Sequence, residues 1–202
     1  MKKRLTALLV AGGLILTFAA GCKGRADLSK AAESTIAING DGSVSEVSIE
    51  RFEESYYSLD DLTAYVNDSV KAYNQEHPIS DEDEEAMAIT VEQVSEEDAS
   101  ARVELSYATV TDYVNFNHVD LKYMETASAQ SEWADQEMTD VKGTSVGRLD
   151  SIENLDRYKM LVVYAPGQVV VDGKVAYVSS GAQISDKKTV VCTQVPSVIL
   201  YK

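Results

Sequence analysis

Met160-Leu161-Val162-Val163-Tyr164-Ala165-Pro166-Gly167-Gln168-Val169-Val170-Val171-Asp172-Gly173-Lys174-Val175-Ala176-Tyr177-Val178 holds three short β-rich runs, broken by Pro166-Gly167 and by Asp172-Gly173. β-Branched and aromatic side chains suit a pleated, half-buried surface, and each run is too short for a stable helix. Proline and glycine at the breaks mark turns. Val190 to Thr193 and Val198 to Tyr201 continue the pattern to the C-terminus. The C-terminal third therefore reads as a meander of antiparallel strands.

Working back along the chain, Val119, Leu121 and Tyr123 alternate with polar neighbours and predict a strand over 119–124. Val110, Tyr113, Val114 and Asn117 share one face of a short helix over 109–117. Met87, Ile89 and Val91 alternate, as do Ala101, Val103, Leu105 and Tyr107, and Glu96-Glu97-Asp98 between them completes a hairpin. Ser34 to Ile38 and Val44 to Ile49 flank Asn39-Gly40-Asp41-Gly42, whose glycines permit the positive φ of a tight turn. Ser58-Leu59-Asp60-Asp61 offers a capping oxygen and then a carboxylate, and Leu62, Tyr65, Val66, Val70 and Tyr73 follow at helical spacing. One long helix over about 59–74 is expected, with Asn74 as its stop. His77-Pro78 and the acidic run from Asp81 to Glu85 form a polar connection. The fold class is α+β: a mainly antiparallel sheet covered on one face, with one long helix and short additional helices.

The N-terminus has a different character. Lys2, Lys3 and Arg4 precede an uncharged run from Leu5 to Ala20, and small residues Ala19-Ala20-Gly21 lead into Cys22. A basic start, an apolar stretch shorter than the ~20 residues of a membrane span, and a small-residue cleavage site together specify an export signal. The end of the run resembles a bacterial lipobox, with Ala19 where leucine is usual. That resemblance implies a diacylglyceryl group, with palmitate-type chains, on the thiol of Cys22 and cleavage just before it. A single acyl chain holds a protein only marginally, whereas several anchor it stably. The expected organisation is a signal peptide over 1–21, a lipidated Cys22 with its tether over 22–33, and one extracytoplasmic domain over 34–202. At ~3.5 Å per residue such a tether reaches at most about 40 Å. Lys23, Arg25 and Lys30 in it would each add ~1 kcal/mol of attraction to anionic lipid.

Composition narrows the function classes. Loss of residues 1–21 removes Lys2, Lys3 and Arg4, leaving 15 of the 18 Lys and Arg against 33 Asp and Glu, a net charge of −18. Nucleic acid is bound through clustered Lys and Arg, and no basic stripe exists, so no nucleic-acid partner is expected. The chain has 2 cysteines; with Cys22 lipidated, Cys192 has no intrachain partner and reads as a small buried residue of a strand.

Ser34-Thr35-Ile36, Gly42-Ser43-Val44, Glu50-Arg51-Phe52 with Tyr56-Tyr57, Tyr113 to Asn117, and Val171 to Ser179 are weak motifs spread over residues 34–202. Through them the chain resembles a group of uncharacterised lipoproteins from clostridial-type gut bacteria. The resemblance implies location and fold class, and brings no site residues with it.

Chemistry-bearing constellations are few. Gly143-Thr144-Ser145-Val146-Gly147 matches the G-x-S-x-G pattern of a nucleophile elbow, but both histidines, His77 and His118, precede Ser145, against the Ser-acid-His order of α/β-hydrolases. A convergent order leaves Ser145 with His118 and Asp120 as a hydrolase alternative. His118, Asp120 and Glu125 offer a thin set of metal ligands, and Asp81 to Glu85 offers oxygens to a divalent cation without EF-hand spacing. The 11 tyrosines suggest sugar stacking, although most sit in strand patterns where they pack a sheet. Trp133, in a polar segment, is the best exposed candidate for ligand binding. The expectation is a lipid-anchored, non-catalytic binding or interaction module at the extracytoplasmic face of the cell membrane. It has no cofactor beyond the lipid on Cys22, and an unspecified surface ligand or protein partner.

Overall fold

Asn39 to Ser43 turns the chain tightly enough to pair β1 (Thr35–Ile38) with β2 (Val44–Arg51), Ile38 opposite Val44. Gly42 takes φ +83°, and the Asp41 carboxylate accepts hydrogen bonds from the Ser43 amide at 3.0 Å and hydroxyl at 2.6 Å. The second hairpin joins β3 (Ile89–Glu97) to β4 (Ser100–Tyr107). Its loop is only Asp98-Ala99, both at positive φ, as a two-residue hairpin turn demands. The computed structural model describes residues 25–79, 86–127 and 131–202.

Helix α1 (Leu59–Glu76) starts where Ser58 Oγ accepts from the Asp61 amide at 3.2 Å, and buries Val66, Val70 and Tyr73. Asn74 does not stop it. Its side-chain amide instead donates to Ile89 O at 2.8 Å and accepts from Ile89 N at 2.9 Å, tying the helix to the start of β3. Helix α2 (Val110–Asn117) is capped by Thr109 and ends at His118, whose φ of 53° is left-handed. The remaining strands are β5 (Leu121–Met124), β6 (Glu137–Asp140), β7 (Ser145–Arg148), β8 (Lys159–Val163), β9 (Gly167–Val171), β10 (Val175–Ser179), β11 (Ala182–Ile184), β12 (Thr189–Cys192) and β13 (Ser197–Tyr201).

The α+β class and the long helix are as expected, but the strands form two sheets rather than one. The first runs β11-β12-β9-β1-β2-β4-β3 and the second β5-β8-β13-β10-β6-β7. The only parallel pair among them is β1 with β9. The C-terminal runs are not a simple meander: β8 lies in the second sheet, β9 in the first and β10 in the second again. Asp172-Gly173 is thus a crossover between sheets. A Cβ at Gly173 would lie 1.9 Å from the Lys202 carbonyl oxygen, so glycine is required by close approach of the C-terminal backbone.

A large core joins the two sheets, with Ile38, Val44, Tyr107, Leu161, Ile199 and Tyr201 among its most buried members. A second core lies behind the second sheet, where Met138, Met160, Val162 and Leu200 of the strands pack with Ala127, Leu149, Ile152 and Tyr158. The outer face of the first sheet is covered by residues 25–31. Leu28 is buried against Ala37 and Val47, Arg102 donates to the carbonyls of Leu28 and of Ala31 (2.9 Å), and the Ala26 amide donates to Asn39 Oδ1 at 2.8 Å. The segment expected as tether is therefore bound to the domain from Arg25 onward.

Candidate functional site

Strand β2 reads Val44-Ser45-Glu46-Val47-Ser48-Ile49. Strand alternation sends Val47 and Ile49 to the outer face, against Leu28, and Val44 to the core between the sheets. Glu46 shares the face of Val44, so a carboxylate stands on the core side of a sheet. Its neighbours in register are Ile36 on β1 and Leu105 on β4. The carboxylate is received by donors from three directions: Tyr107 Oη of β4 to Oε2, Asn117 Nδ2 of α2 to Oε2 at 3.3 Å, and Ser48 Oγ to Oε1 at 3.3 Å. Asn117 also donates to Tyr107 Oη at 2.9 Å, and the Tyr107 and Tyr113 rings meet edge to face at 5.3 Å.

Burial dominates the electrostatics. It raises the Glu46 carboxyl above its ordinary range, and the hydrogen bonds from Tyr107, Asn117 and Ser48 only partly oppose it. Burial and then the Glu46 charge push the phenols of Tyr107 and Tyr113 up, so both remain protonated and Tyr107 donates to the carboxylate. No cation relieves Glu46: among the described residues neither it nor Asp120 has an ion-pair partner.

This carboxylate borders a cleft of about 150 Å³ at the end of the molecule where β1 and β9 begin. Val119, Leu121, Val163, Val169 and the Tyr113 ring form apolar walls, and Asp120 is a second carboxylate on the lining. Ser34, Thr35, Ser48 and Gln168 supply neutral polar groups, and among the described residues no Lys, Arg or His lines the space. An apolar pocket with a few convergent polar groups and a carboxyl of shifted pKa is the arrangement expected of a ligand site.

The sequence candidates fall elsewhere or only partly here. Cys22 and the run from Asp81 to Glu85 lie outside the described residues. Trp133 is not an exposed platform: it is half-buried on the second core, edge to face with Tyr164 at 6.2 Å, with Lys122 Nζ 5.7 Å from its ring centroid. Its indole Nε1 is buried without a hydrogen-bond partner among the described residues. The exposed aromatic residues are Tyr56, Tyr57 and Tyr65, with Phe52 stacked on Tyr57 at 5.0 Å.

Ser145 opens β7 at one edge of the second sheet, while His118 and Asp120 precede β5 at the opposite edge. Five strand spacings of ~4.8 Å put roughly 24 Å between these edges, far beyond hydrogen-bond reach. Of the G-x-S-x-G residues, Gly143 and Thr144 end the β6–β7 hairpin turn and Ser145 to Gly147 run along β7, with Gly143 at φ +75° and the Asp140 carboxylate accepting from the Thr144 amide at 2.9 Å. Glu125 accepts from Tyr123 Oη at 2.5 Å, and among the described residues no group of three or more His, Cys, Asp or Glu is placed to hold a metal ion. Cys192 is buried in the main core, where burial raises its thiol pKa and disfavours the thiolate.

Glu46 was missed by sequence reasoning, although one signal was available. In β2 the apolar residues fall at 44, 47 and 49, so strict alternation fails and a charged residue must share a face with valine. No family model, curated protein or solved structure matches the chain.

Proposed function

We propose that the chain is a lipid-anchored, non-catalytic binding module at the extracytoplasmic face of a bacterial membrane, with the Glu46 cleft as its ligand site. The observation that carries the binding reading is a carboxylate on the core side of a sheet, paired with no cation among the described residues and lining an open cleft. Such a group is costly for folding alone, because burial disfavours its charge. A catalytic reading has less support, since the residues available for a Ser-His-Asp set lie on opposite edges of one sheet.

The anchor reading rests on the signal over 1–21 and on Cys22. The docking of residues 25–31 supports a close attachment. Only Lys23 and Gly24 separate Cys22 from Arg25, which with ~3.8 Å between successive Cα atoms allows about 11 Å. This replaces the 40 Å reach of a free tether. The domain then works against the bilayer, not at a distance from it.

Two measurements test the proposal separately. Mass spectrometry of the native product is expected to show a diacylated N-terminal Cys22, and Cys22→Ala to release the protein from membranes; an intact residue 1–21 segment or an unmodified thiol overturns the anchor. A thermal-shift screen of small molecules is expected to give hits that Glu46→Gln abolishes. Hits indifferent to that change overturn the cleft.

A further inference from the structure

Resting on the reading of this cleft as a ligand site, we infer that its ligand is a protonated primary amine on an apolar stem, a chain of about four or five carbons ending in an ammonium group. The charge argument comes first. Glu46 and Asp120 are the carboxylates on the lining, and among the described residues Lys, Arg and His are absent from it. An anionic ligand would meet carboxylates with nothing to pair with. A neutral one would leave the half-buried charge of Glu46 as costly as before.

The shape of the site distinguishes an ammonium from a metal cation. A hard divalent ion takes six or more oxygen ligands at short distance. Here most of the wall is hydrocarbon, from Val119, Leu121, Val163 and Val169 with the Tyr113 ring. An alkylammonium matches both halves, its stem against those side chains and its three N–H donors toward oxygen. Glu46 Oε1 receives only the Ser48 hydroxyl, at 3.3 Å, whereas Oε2 is already taken by Tyr107 and Asn117. The free lone pair of Oε1 and the lone pairs of Ser48 Oγ are the acceptors available to the head group. About 150 Å³ is room for such a side-chain-sized group and below the size of pockets that enclose whole drug-like ligands.

Binding depends on pH through Glu46. The groups facing it are the phenols of Tyr107 on β4 and Tyr113 on α2, both held protonated, with Asp120 ahead of β5 on the same lining; β1, β8 and β9 bring no ionisable side chain to the space. Because burial raises the Glu46 carboxyl, the carboxylate needed by an ammonium forms at higher pH than for an exposed glutamate. Amine affinity therefore increases as pH rises through that ionisation.

The test uses three probes of equal length, n-pentylamine, 1-pentanol and valerate, titrated into the purified mature chain by calorimetry and by methyl NMR at Val119, Leu121 and Val163. Pentylamine is expected to bind and shift those methyls, with pentanol at least ~10-fold weaker and valerate without effect, since the amine alone pairs the half-buried carboxylate. Glu46→Gln is expected to reduce amine affinity at least ~10-fold; should that variant fail to fold, the probe series on the unaltered chain and on Asp120→Asn still decides. Pentanol or valerate binding as tightly as pentylamine overturns the amine and leaves the ligand-site reading standing. Silence of those methyls toward every probe and every thermal-shift hit overturns both.

Discussion

The core between the sheets and the core behind the second sheet are alike at their centres, where Leu161 and Leu200 respectively are wholly buried. They differ in what interrupts the hydrocarbon. The inter-sheet core admits the Glu46 carboxylate and, at one end, opens into a cleft. The second core meets phenol rings and the Trp133 indole, whose N–H has no partner among the described residues. A core built only for stability excludes carboxylates, and among the described residues none is a member of the second, where Lys122 and Lys202 only cap rings at its edge. Retention of Glu46 in the first, at an electrostatic cost, is the mark of a region shaped by something besides folding.

Truncation in the second core should give the largest effect. Leu200→Ala removes buried methyl groups and leaves a cavity, so chemical denaturation is expected to show a loss of about 3 kcal/mol with amine binding by the folded fraction unchanged. Altered binding at constant fold would break the separation between the two cores. The next effect belongs to the N-terminal segment. Arg102, with 12% of its side chain exposed, is paired with Glu104 at 2.6 Å and donates to two carbonyls of residues 25–31. Arg102→Ala is expected to lower stability by about 2 kcal/mol and to speed hydrogen exchange at Ala26 and Leu28. Unchanged exchange there would mean that the segment holds itself on the sheet without the arginine.

How much of this was legible in the sequence follows from how local each feature is. The two hairpins and both helices are written in nearby residues: Asn39 to Gly42 for one turn, Ser58 and Thr109 for the helix starts. Sheet membership is not. β9 lies between β1 and β12, and its pairing with β1 links residues such as Thr35 and Gln168, whose side chains meet at 3.0 Å across most of the chain. Three consecutive β-rich runs look alike whether they form hairpins or cross between sheets, and Gly173 signals a turn in either case. β6 and β7 escaped notice because they are short and lie in a polar stretch where only Met138 is fully buried. Residues 25–31 read as tether because Arg25 and Lys30 overshadow the small apolar set Ala26, Leu28 and Ala31 that seats them. The cleft was invisible for the same reason as the sheets: Glu46, Asn117 and Tyr107 come from three separate elements, and only their assembly makes a site.

A smaller effect sharpens the turn chemistry. Ala99 adopts φ +58°, a region that favours glycine. Ala99→Gly is expected to stabilise the chain by about 1 kcal/mol, read as a rise in denaturation midpoint, with no change in the cleft; a loss of stability would show that the methyl group makes a contact worth more than the strain.

The smallest effect on stability, and the most informative, concerns Glu46. Its raised carboxyl means that the folded chain binds a proton more readily than the unfolded chain. Its contribution to stability is therefore full below the ordinary carboxylate range and is lost as pH rises through that range toward the raised value. Glu46→Gln should flatten the slope of stability against pH in that window, where Leu200→Ala should leave the slope as it is.

The direct measurement is a carboxyl ¹³C NMR titration of Glu46 in the folded protein, without and with saturating pentylamine. A titration midpoint above that of an ordinary glutamate, moving down when the amine is added, is the predicted result. An ordinary midpoint that the amine does not move would contradict the account.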